Sequence, residues 1–223
     1  MCIRDRDNIY NFNNYEYLNP SQNRYGNLEL YTYPDTQVVT TAELKAQLRI
    51  DTSDEDILLA TYISAATQMA EHYCNRHFIN ARYEVIFLKD LPSKFSLYFP
   101  DVTIDLTHSA TTDDGLFYRS VEALSEPSAT VPVADYYIDR YANPCYVVVE
   151  KTPTSAVEFA QSTKGNYLFR FTTGMGTAAS DVPDAIKQAI KLIASDMYYF
   201  REDRKRAFPM ASEILLQPYK CYL

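Results

Sequence analysis

The sequence predicts an α+β fold, in which a helical core formed by residues 40–78 and 180–206 carries an inserted antiparallel β module. Apolar residues recur at three- and four-residue steps in 54–75 and again in 182–201, a period typical of amphipathic helices. Between the two helical regions, over 82–173, the period changes to two, which is typical of strands. Because neither helical segment could bury its apolar stripe alone, we expect the two to pack together.

The composition is that of a globular chain. Of 223 residues, 47% are hydrophobic and 22% charged, which is enough apolar material for a sizeable core. No apolar run approaches the roughly 20 residues that a membrane-spanning helix needs, so no membrane association is predicted. The formal net charge of −8 argues against tight DNA binding, since that affinity depends on cationic side chains that neutralise phosphates.

The N-terminal residues 1–36 are rich in Asn and Tyr and show no helical or strand period. We expect an arm without regular elements. Its first six residues, Met1–Arg6, match the translation of a transposon end used to prepare sequencing libraries, and we interpret them as an assembly scar. The four cysteines are far apart and contain no CxxC pair, so we expect reduced thiols in a cytosolic product.

Two capping boxes are predicted in the first helical segment. Thr40 and Glu43 have the spacing of the first box, which would open a short helix. Thr52–Glu55 has the pattern of the second, which would open a long helix that ends near Asn75. The apolar stripe expected on the long helix consists of Leu59, Ile63, Ala66, Ala70 and Tyr73.

The central region predicts six to eight short strands separated by turns. Asp113-Asp114-Gly115 is a hairpin signal between strands 103–109 and 116–120. Two further turns are expected at Asn143-Pro144 and at Lys164-Gly165-Asn166.

A second long helix is predicted to start at Ser180, with Pro183 in its first turn, and to end near Arg201. Its expected apolar face consists of Ile186, Ala189, Ile190, Ile193 and Met197. Pro209 ends the helical region. The apolar segment that follows is short and interrupted by Pro218, which favours a docking tail over another core helix.

Two clusters of polar residues could suggest a metal site. The acidic run Asp51–Asp56 lacks the glycine at the sixth position of a calcium loop, and acids in a first helical turn are favoured by the helix dipole alone. His72, Cys74 and His77 suggest zinc, but residues five apart on a helix differ by about 140° around its axis. No fourth ligand is evident. We therefore predict neither a metal nor a cofactor.

No catalytic residue is predicted. Gly174-Met175-Gly176 lacks the third glycine of a dinucleotide fingerprint and the lysine of a P-loop, so a connection between a strand and a helix is the better interpretation. A Ser-His-Asp arrangement would need His72, His77 or His108, and none lies in a nucleophile elbow. The sequence therefore does not predict an enzyme.

Taken in order, several segments resemble the head–tail connector, or adaptor, proteins of long-tailed bacteriophages and gene transfer agents. The resemblance covers about residues 37–220 and includes the inserted β module of the longer members, whereas the N-terminal arm departs from the family pattern. The segments that carry it are TTAELKAQLRID (40–51), DEDILLATYISAATQMAEHYCNR (54–76), FRFTTGMG (169–176), VPDAIKQAIKLIASDMYYFRED (182–203) and ILLQPYK (214–220).

The resemblance implies a structural protein of the virion. Such proteins form a ring, usually of twelve copies, beneath the portal protein, extend the DNA channel and dock the stopper or tail-completion protein. DNA would pass through the lumen without specific binding. The implied division is an arm (1–36), a connector core (37–80 and 178–206), the β module (81–177) and a C-terminal docking tail (207–223).

The resemblance also implies interaction residues. The tail would bind the portal through Ile214, Leu215, Leu216 and Tyr219, although these residues could instead cover the chain's own helices. DNA or a partner's acids could contact Arg201, Arg204, Lys205 and Arg206, unless these form a solvated helix end. The long helix and the β module are the surfaces expected to close the ring. The alternative function is a DNA-packaging or DNA-binding accessory protein that uses the basic cluster.

Overall fold

A computed structural model describes residues 27–32, 34, 36–87, 91–97, 99, 101–103, 114–118, 129–139, 141, 145–151, 167–201 and 210–221. The helices are α1 (Thr41–Leu48), α2 (Asp56–Cys74), α3 (Asp184–Tyr199) and α4 (Met210–Leu216). The strands are β1 (Asn27–Thr32), β2 (Ala81–Phe87), β3 (Lys94–Ser96), β4 (Val102–Thr103), β5 (Gly115–Tyr118), β6 (Ala129–Thr130), β7 (Tyr136–Asp139), β8 (Tyr146–Val149) and β9 (Tyr167–Thr173). All strand pairs among the described residues are antiparallel, and the predicted α+β class is confirmed.

The capping box predicted at the start of α1 is confirmed. The Thr40 hydroxyl accepts a hydrogen bond from the Glu43 amide at 3.3 Å, and the Glu43 carboxylate accepts one from the Thr40 amide at 2.7 Å. This backbone hydrogen bond, assisted by the Thr40 hydroxyl, lowers the pKa of Glu43. The two side chains thereby satisfy amides that the helix itself leaves without partners.

Replacing Thr40 with alanine should lower the free energy of unfolding by about 1 kcal/mol at neutral pH. Because the pKa of Glu43 is lower in the folded chain, its contribution is present above its unfolded pKa and is lost as the pH falls through the folded value. Urea unfolding at neutral and acidic pH measures both effects. Thr52→Ala is the matched control and should change stability by less than about 0.5 kcal/mol; an equal loss in both variants would contradict the capping role.

The second predicted capping box, at Thr52–Glu55, is wrong. Helix α2 begins only at Asp56, and Glu55 precedes it without a side-chain capping bond. Both acids are instead engaged in tertiary contacts, since Glu55 bonds to α3 and Asp56 forms an ion pair with Lys45 of α1 at 2.8 Å. The end of the helix is as predicted, with Asn75 in the left-handed conformation at φ 53°.

Helices α2 and α3 pack against each other through the predicted stripes, and α1 and α4 complete this helical core. All of the predicted stripe residues are buried except Tyr73 and Met197, which are partly buried at the margin of the helical core. Helix α3 begins at Asp184, after a short 3₁₀ turn, so Ser180 is not its cap, and it ends at Tyr199. In the part of the chain that is described, no helix has both the length and the apolar character needed to cross a bilayer.

The strands form two sheets. The larger has the order β1-β2-β9-β5-β6, with β4 also paired to β9, and the smaller has the order β3-β8-β7. Their shared core is rich in aromatic rings, among them Phe87, Phe95 and Phe169. This apolar cluster is separate from the helical one, although the predicted domain boundaries themselves stay a prediction.

Strand β1 lies within the arm for which no regular element was expected, so that expectation is wrong for residues 27–32. Leu28 pairs with Val85 and packs against the core of the sheet, whereas Leu30, which pairs with Tyr83, is 47% exposed at its edge. Two alternating leucines in an otherwise polar segment are too short a pattern to reveal an edge strand from sequence.

The predicted hairpin at Asp113-Asp114-Gly115 is wrong for the described ends of its strands. Both β4 and β5 pair antiparallel with β9, so they run in the same direction and do not pair with each other. Residues 104–113 lie outside the described part of the chain. The turns predicted at Asn143-Pro144 and Lys164–Asn166 also lie outside it, and strands β7, β8 and β9 flank these positions.

Candidate functional site

The C-terminal segment 210–221 holds the predicted portal-binding residues, and most of it packs on the helical core. Leu216 is 0% exposed, and Leu215 and Tyr219 are partly buried against the same core. Ile214 is 63% exposed, and Met210, one helical turn earlier, is 62% exposed on the same side. Of the four predicted residues, Ile214 is therefore the one that presents a largely accessible apolar surface.

The end of this segment is fixed to the C-terminus of α2. The Cys221 amide donates to the Cys74 carbonyl at 2.8 Å, and the Asn75 side-chain amide donates to the Cys221 carbonyl at 2.9 Å. The Arg76 guanidinium lies 2.9 Å from the Cys221 sulfur. Burial beneath the segment raises the pKa of Cys74 to about 12. The sequence did not predict that the C-terminal segment packs on the end of α2. The only pattern that indicates a buried face is Ser212 and Leu216, four residues apart.

Of the predicted basic residues, Arg201 is described, and residues 204–206 lie outside the described part of the chain. The Arg201 guanidinium lies 3.2 Å from a Glu55 carboxylate oxygen and faces the Tyr198 ring. The Tyr198 hydroxyl donates to the other oxygen of Glu55 at 2.6 Å, a bond that raises the pKa of Tyr198. Arg201 thus joins the end of α3 to the start of α2, while 58% of its side chain stays exposed.

The outward stripe of α2 was not singled out from the sequence. Its members are the exposed residues Ile57, Thr61, Ser64, Gln68 and His72. None of them is Asp, Glu, Lys or Arg, whereas the solvent face of a long helix is normally rich in these residues. Ile57 is 86% exposed. The sequence signal was the absence of charge at this helical spacing, which is visible only once the buried face is known.

The His and Cys residues at the end of α2 are directed to different places. His72 is exposed on the outward stripe, Cys74 lies beneath the C-terminal segment, and His77 is buried between the helical core and the sheet. His77 Nε2 lies 2.7 Å from the Tyr83 hydroxyl and its Nδ1 lies 3.3 Å from Glu71. Among the described residues, no three His, Cys, Asp or Glu side chains converge as metal ligands do.

The glycine motif 174–176 connects β9 to α3, as predicted, and is closely packed. Gly174 has φ +150°, and a Cβ atom there would lie 2.7 Å from the Asn80 backbone. The Met175 amide donates to the Phe78 carbonyl, and the Asn80 amide donates to the Gly176 carbonyl. These amides are used within the fold, which ties the two connections between sheet and helices together. His108 and Met1–Arg6 lie outside the described residues.

A polar groove of about 580 Å³ lies at one end of the larger sheet. Thr32, Arg82, Thr172 and Thr103 form one row across β1, β2, β9 and β4. Asp114 sits over this row and accepts hydrogen bonds from Arg82 at 2.9 Å and from Thr172 at 2.8 Å. The two bonds engage one oxygen each of the Asp114 carboxylate and hold it against the sheet.

Known proteins match this chain in sequence over one segment and in fold over most of its length. Residues 39–110, which include α1, α2 and β2, match the family model described as phage gp6-like head-tail connector protein. No curated protein sequence matches the chain.

Three solved structures share the fold over 88% of this chain and 96% of theirs. A chain of the virion of a native gene transfer agent particle is 19% identical, with a TM-score of 0.61. A chain in the neck of an empty particle, computed with C6 symmetry, is 20% identical with a TM-score of 0.62. A chain in the neck of a native particle, computed with C12 symmetry, is 19% identical with a TM-score of 0.60.

The family match falls on the short helix, acidic step and long helix that carried the resemblance in the sequence. The structural likeness covers 88% of this chain and therefore extends well beyond the residues that the family model matches. The resemblance predicted from the sequence is confirmed over residues 39–110, which match the model of the phage gp6-like head–tail connector family.

Proposed function

We propose that this protein is a structural head–tail connector that forms a ring in the neck of a phage-like particle and has no enzymatic activity. The observation that carries the proposal is the family match over 39–110. The shared fold with chains of gene transfer agent necks supports it, and the twelvefold symmetry of one of those necks supports a ring of twelve copies. The partners are the portal protein above and a stopper or tail-completion protein below.

The negative net charge of the chain is compatible with a protein that surrounds a DNA channel. With a formal net charge of −8, twelve copies would present a strongly negative ring to a negatively charged polymer. DNA would then pass without being held, because tight binding requires cationic groups that displace the counterions of the phosphates. Filter binding to double-stranded DNA at low salt tests this point; strong, salt-dependent binding would favour a DNA-binding accessory protein instead.

The outward stripe of α2 is the proposed contact between neighbouring copies. A closed ring needs a head-to-tail contact between two different surfaces of one chain, and helices approach closely where side chains are small and uncharged. The stripe carries no Asp, Glu, Lys or Arg, its middle residues Thr61 and Ser64 are small, and Ile57 is an exposed apolar residue at one end.

Replacing Ser64, at the centre of the stripe, with arginine should weaken assembly at least about tenfold, because a charge buried in the contact would be unpaired. The free energy of unfolding should change by less than about 0.5 kcal/mol, since Ser64 is exposed. Negative-stain imaging and light scattering, with portal particles added as a template, measure ring formation. Ser53→Arg, also exposed, is the control; assembly unaffected by the Ser64 change would remove the stripe from the interface.

The outer face of α4 is the proposed portal contact. Ile214 and Met210 form an accessible apolar pair on it, whereas Leu216 contributes only if the segment leaves the helical core. Two apolar side chains exposed side by side form a small patch that a binding partner would remove from water.

Replacing Ile214 with aspartate should weaken portal binding at least about tenfold and leave stability nearly unchanged. Leu216→Ala should instead lower the free energy of unfolding by about 2–5 kcal/mol, because it empties a filled core position. Pull-down with portal particles and urea unfolding separate the two roles. Tyr137→Asp, an equally drastic change at an exposed aromatic of the β module, is the control. Portal binding that survives Ile214→Asp would exclude this face.

A further inference from the structure

The C-terminal segment brings together two cysteines that are 147 positions apart in the sequence, Cys74 and Cys221. Both are reduced and buried, and their backbones are directly joined by the hydrogen bond of 2.8 Å from the Cys221 amide to the Cys74 carbonyl. A bond of this kind places the two Cα atoms about 5–6 Å apart. That separation falls within the range of about 4.4–6.8 Å that disulfides span.

We propose that Cys74 and Cys221 are a disulfide-forming pair that locks the C-terminal segment onto the end of α2 in an oxidising environment. The side-chain contacts of both residues support this assignment. The Cys74 thiol points at the Leu216 carbonyl, 3.8 Å away, and so faces the segment that carries Cys221. The Arg76 guanidinium, 2.9 Å from the Cys221 sulfur, supplies positive charge beside the thiolate that must attack.

The order of the reaction follows from the two environments. With oxidised glutathione as the oxidant, the Cys221 thiolate attacks one glutathione sulfur, forms a mixed disulfide and releases one glutathione thiolate. Cys74 then loses its proton and attacks the Cys221 sulfur, and the second glutathione leaves. Two protein thiols and one oxidised glutathione thus become one protein disulfide and two reduced glutathione molecules, which carry the two protons. Burial raises the pKa of Cys74 to about 12, so Cys221 makes the first attack.

The biological setting rests on the proposed function. A virion component is made in a reducing cytoplasm and later meets oxidising surroundings, where disulfides persist. The pair would therefore stay open during assembly and close afterwards in those copies whose C-terminal segment is docked.

The test uses the isolated full chain in a glutathione redox buffer. Oxidation should remove the mass of two hydrogen atoms, and peptide mapping without reductant should recover a link between Cys74 and Cys221. The midpoint of thermal unfolding should rise by roughly 10 °C and return to its starting value on adding dithiothreitol. Cys221→Ser should abolish the link and the shift. Cys145→Ser, which changes a cysteine buried in the β module, should keep both.

Full alkylation of Cys74 and Cys221 after unfolding the oxidised chain would overturn the proposal, as would a link from Cys221 to Cys2. Since neither ring formation nor portal binding enters this measurement, its failure would leave the connector function standing. Conversely, a chain that forms the link but never assembles on portal particles would retain the cysteine pair and lose the proposed function.

Discussion

Replacing Glu84 with alanine should lower the free energy of unfolding by about 3–5 kcal/mol, the largest effect expected from a single change. Glu84 on β2 and Arg170 on β9 are direct partners across the sheet, and their charged atoms lie 2.6 Å apart. Only 10% of the Glu84 side chain and 4% of that of Arg170 are exposed. Alanine at 84 would leave the guanidinium buried without its carboxylate partner.

Two aromatic rings also contact the Arg170 guanidinium. Its guanidinium carbon lies 4.3 Å from the centre of the Tyr31 ring and 5.7 Å from that of Phe117. These faces stabilise a cation but supply no carboxylate, so they compensate only partly for a lost Glu84. Hydrogen exchange of β9 amides and urea unfolding measure the loss.

Two companion variants test the assignment to a buried ion pair. Glu29 lies directly opposite Glu84 on β1 and is exposed, so Glu29→Ala should change stability by less than about 0.5 kcal/mol or raise it slightly by removing a like charge. Replacing Glu84 and Arg170 together with leucine should recover much of the loss, since no unpaired charge remains. A Glu84→Ala variant as stable as Glu29→Ala would contradict the role assigned to the pair.

Replacing Glu71 with alanine should lower the free energy of unfolding by about 2–4 kcal/mol. Glu71 is 5% exposed at the end of α2, and one of its carboxylate oxygens accepts a hydrogen bond from the Phe78 amide at 2.8 Å. The other lies 3.3 Å from His77 Nδ1, and His77 in turn bonds to Tyr83 on β2. Without the carboxylate, the buried Phe78 amide loses its acceptor at the point where the chain passes from helix to sheet.

Graded variants separate the hydrogen bond from general packing. Glu71→Gln keeps an acceptor for the Phe78 amide and should lose less than half as much stability as Glu71→Ala. His72→Ala, at the next position on α2 but exposed, should change stability by less than about 0.5 kcal/mol. Equal losses for the glutamine and alanine variants would show that shape, and not the hydrogen bond, governs this position.

The sequence predicted the local elements well because their causes are local. The box at Thr40 and Glu43 depends on residues three apart, and the α2 stripe depends on spacing alone. The start of α2 was misplaced because Glu55 and Asp56 have partners in α3 and α1 that are distant in sequence or belong to another element. The predicted hairpin at 113–115 was wrong for the same reason, because β4 and β5 both pair with β9, which is distant in sequence.

The proposed portal-binding residues also show what could not be predicted from the sequence. Apolar character marked Ile214 and Leu216 equally, but a two-residue step on a helix places one toward solvent and the other in the core. Which side faces inward depends on where α4 packs, and α4 packs on α3 and the end of α2, far away in sequence. The uncharged stripe of α2 could likewise be recognised only after its opposite face was found to be buried.

The pairing of β2 with β9 has a consequence for how this architecture can be modified. Phe87 and Tyr167 are partners across the sheet, so the chain leaves β2 and returns to β9 at points about 5 Å apart. Because the two ends of this segment meet so closely, an insertion within it does not require α2 or α3 to move, provided that β4 and β5 keep their pairing with β9. A reporter domain or an affinity tag added at a loop between residues 87 and 167 would therefore leave the sheet paired and the helical core in place.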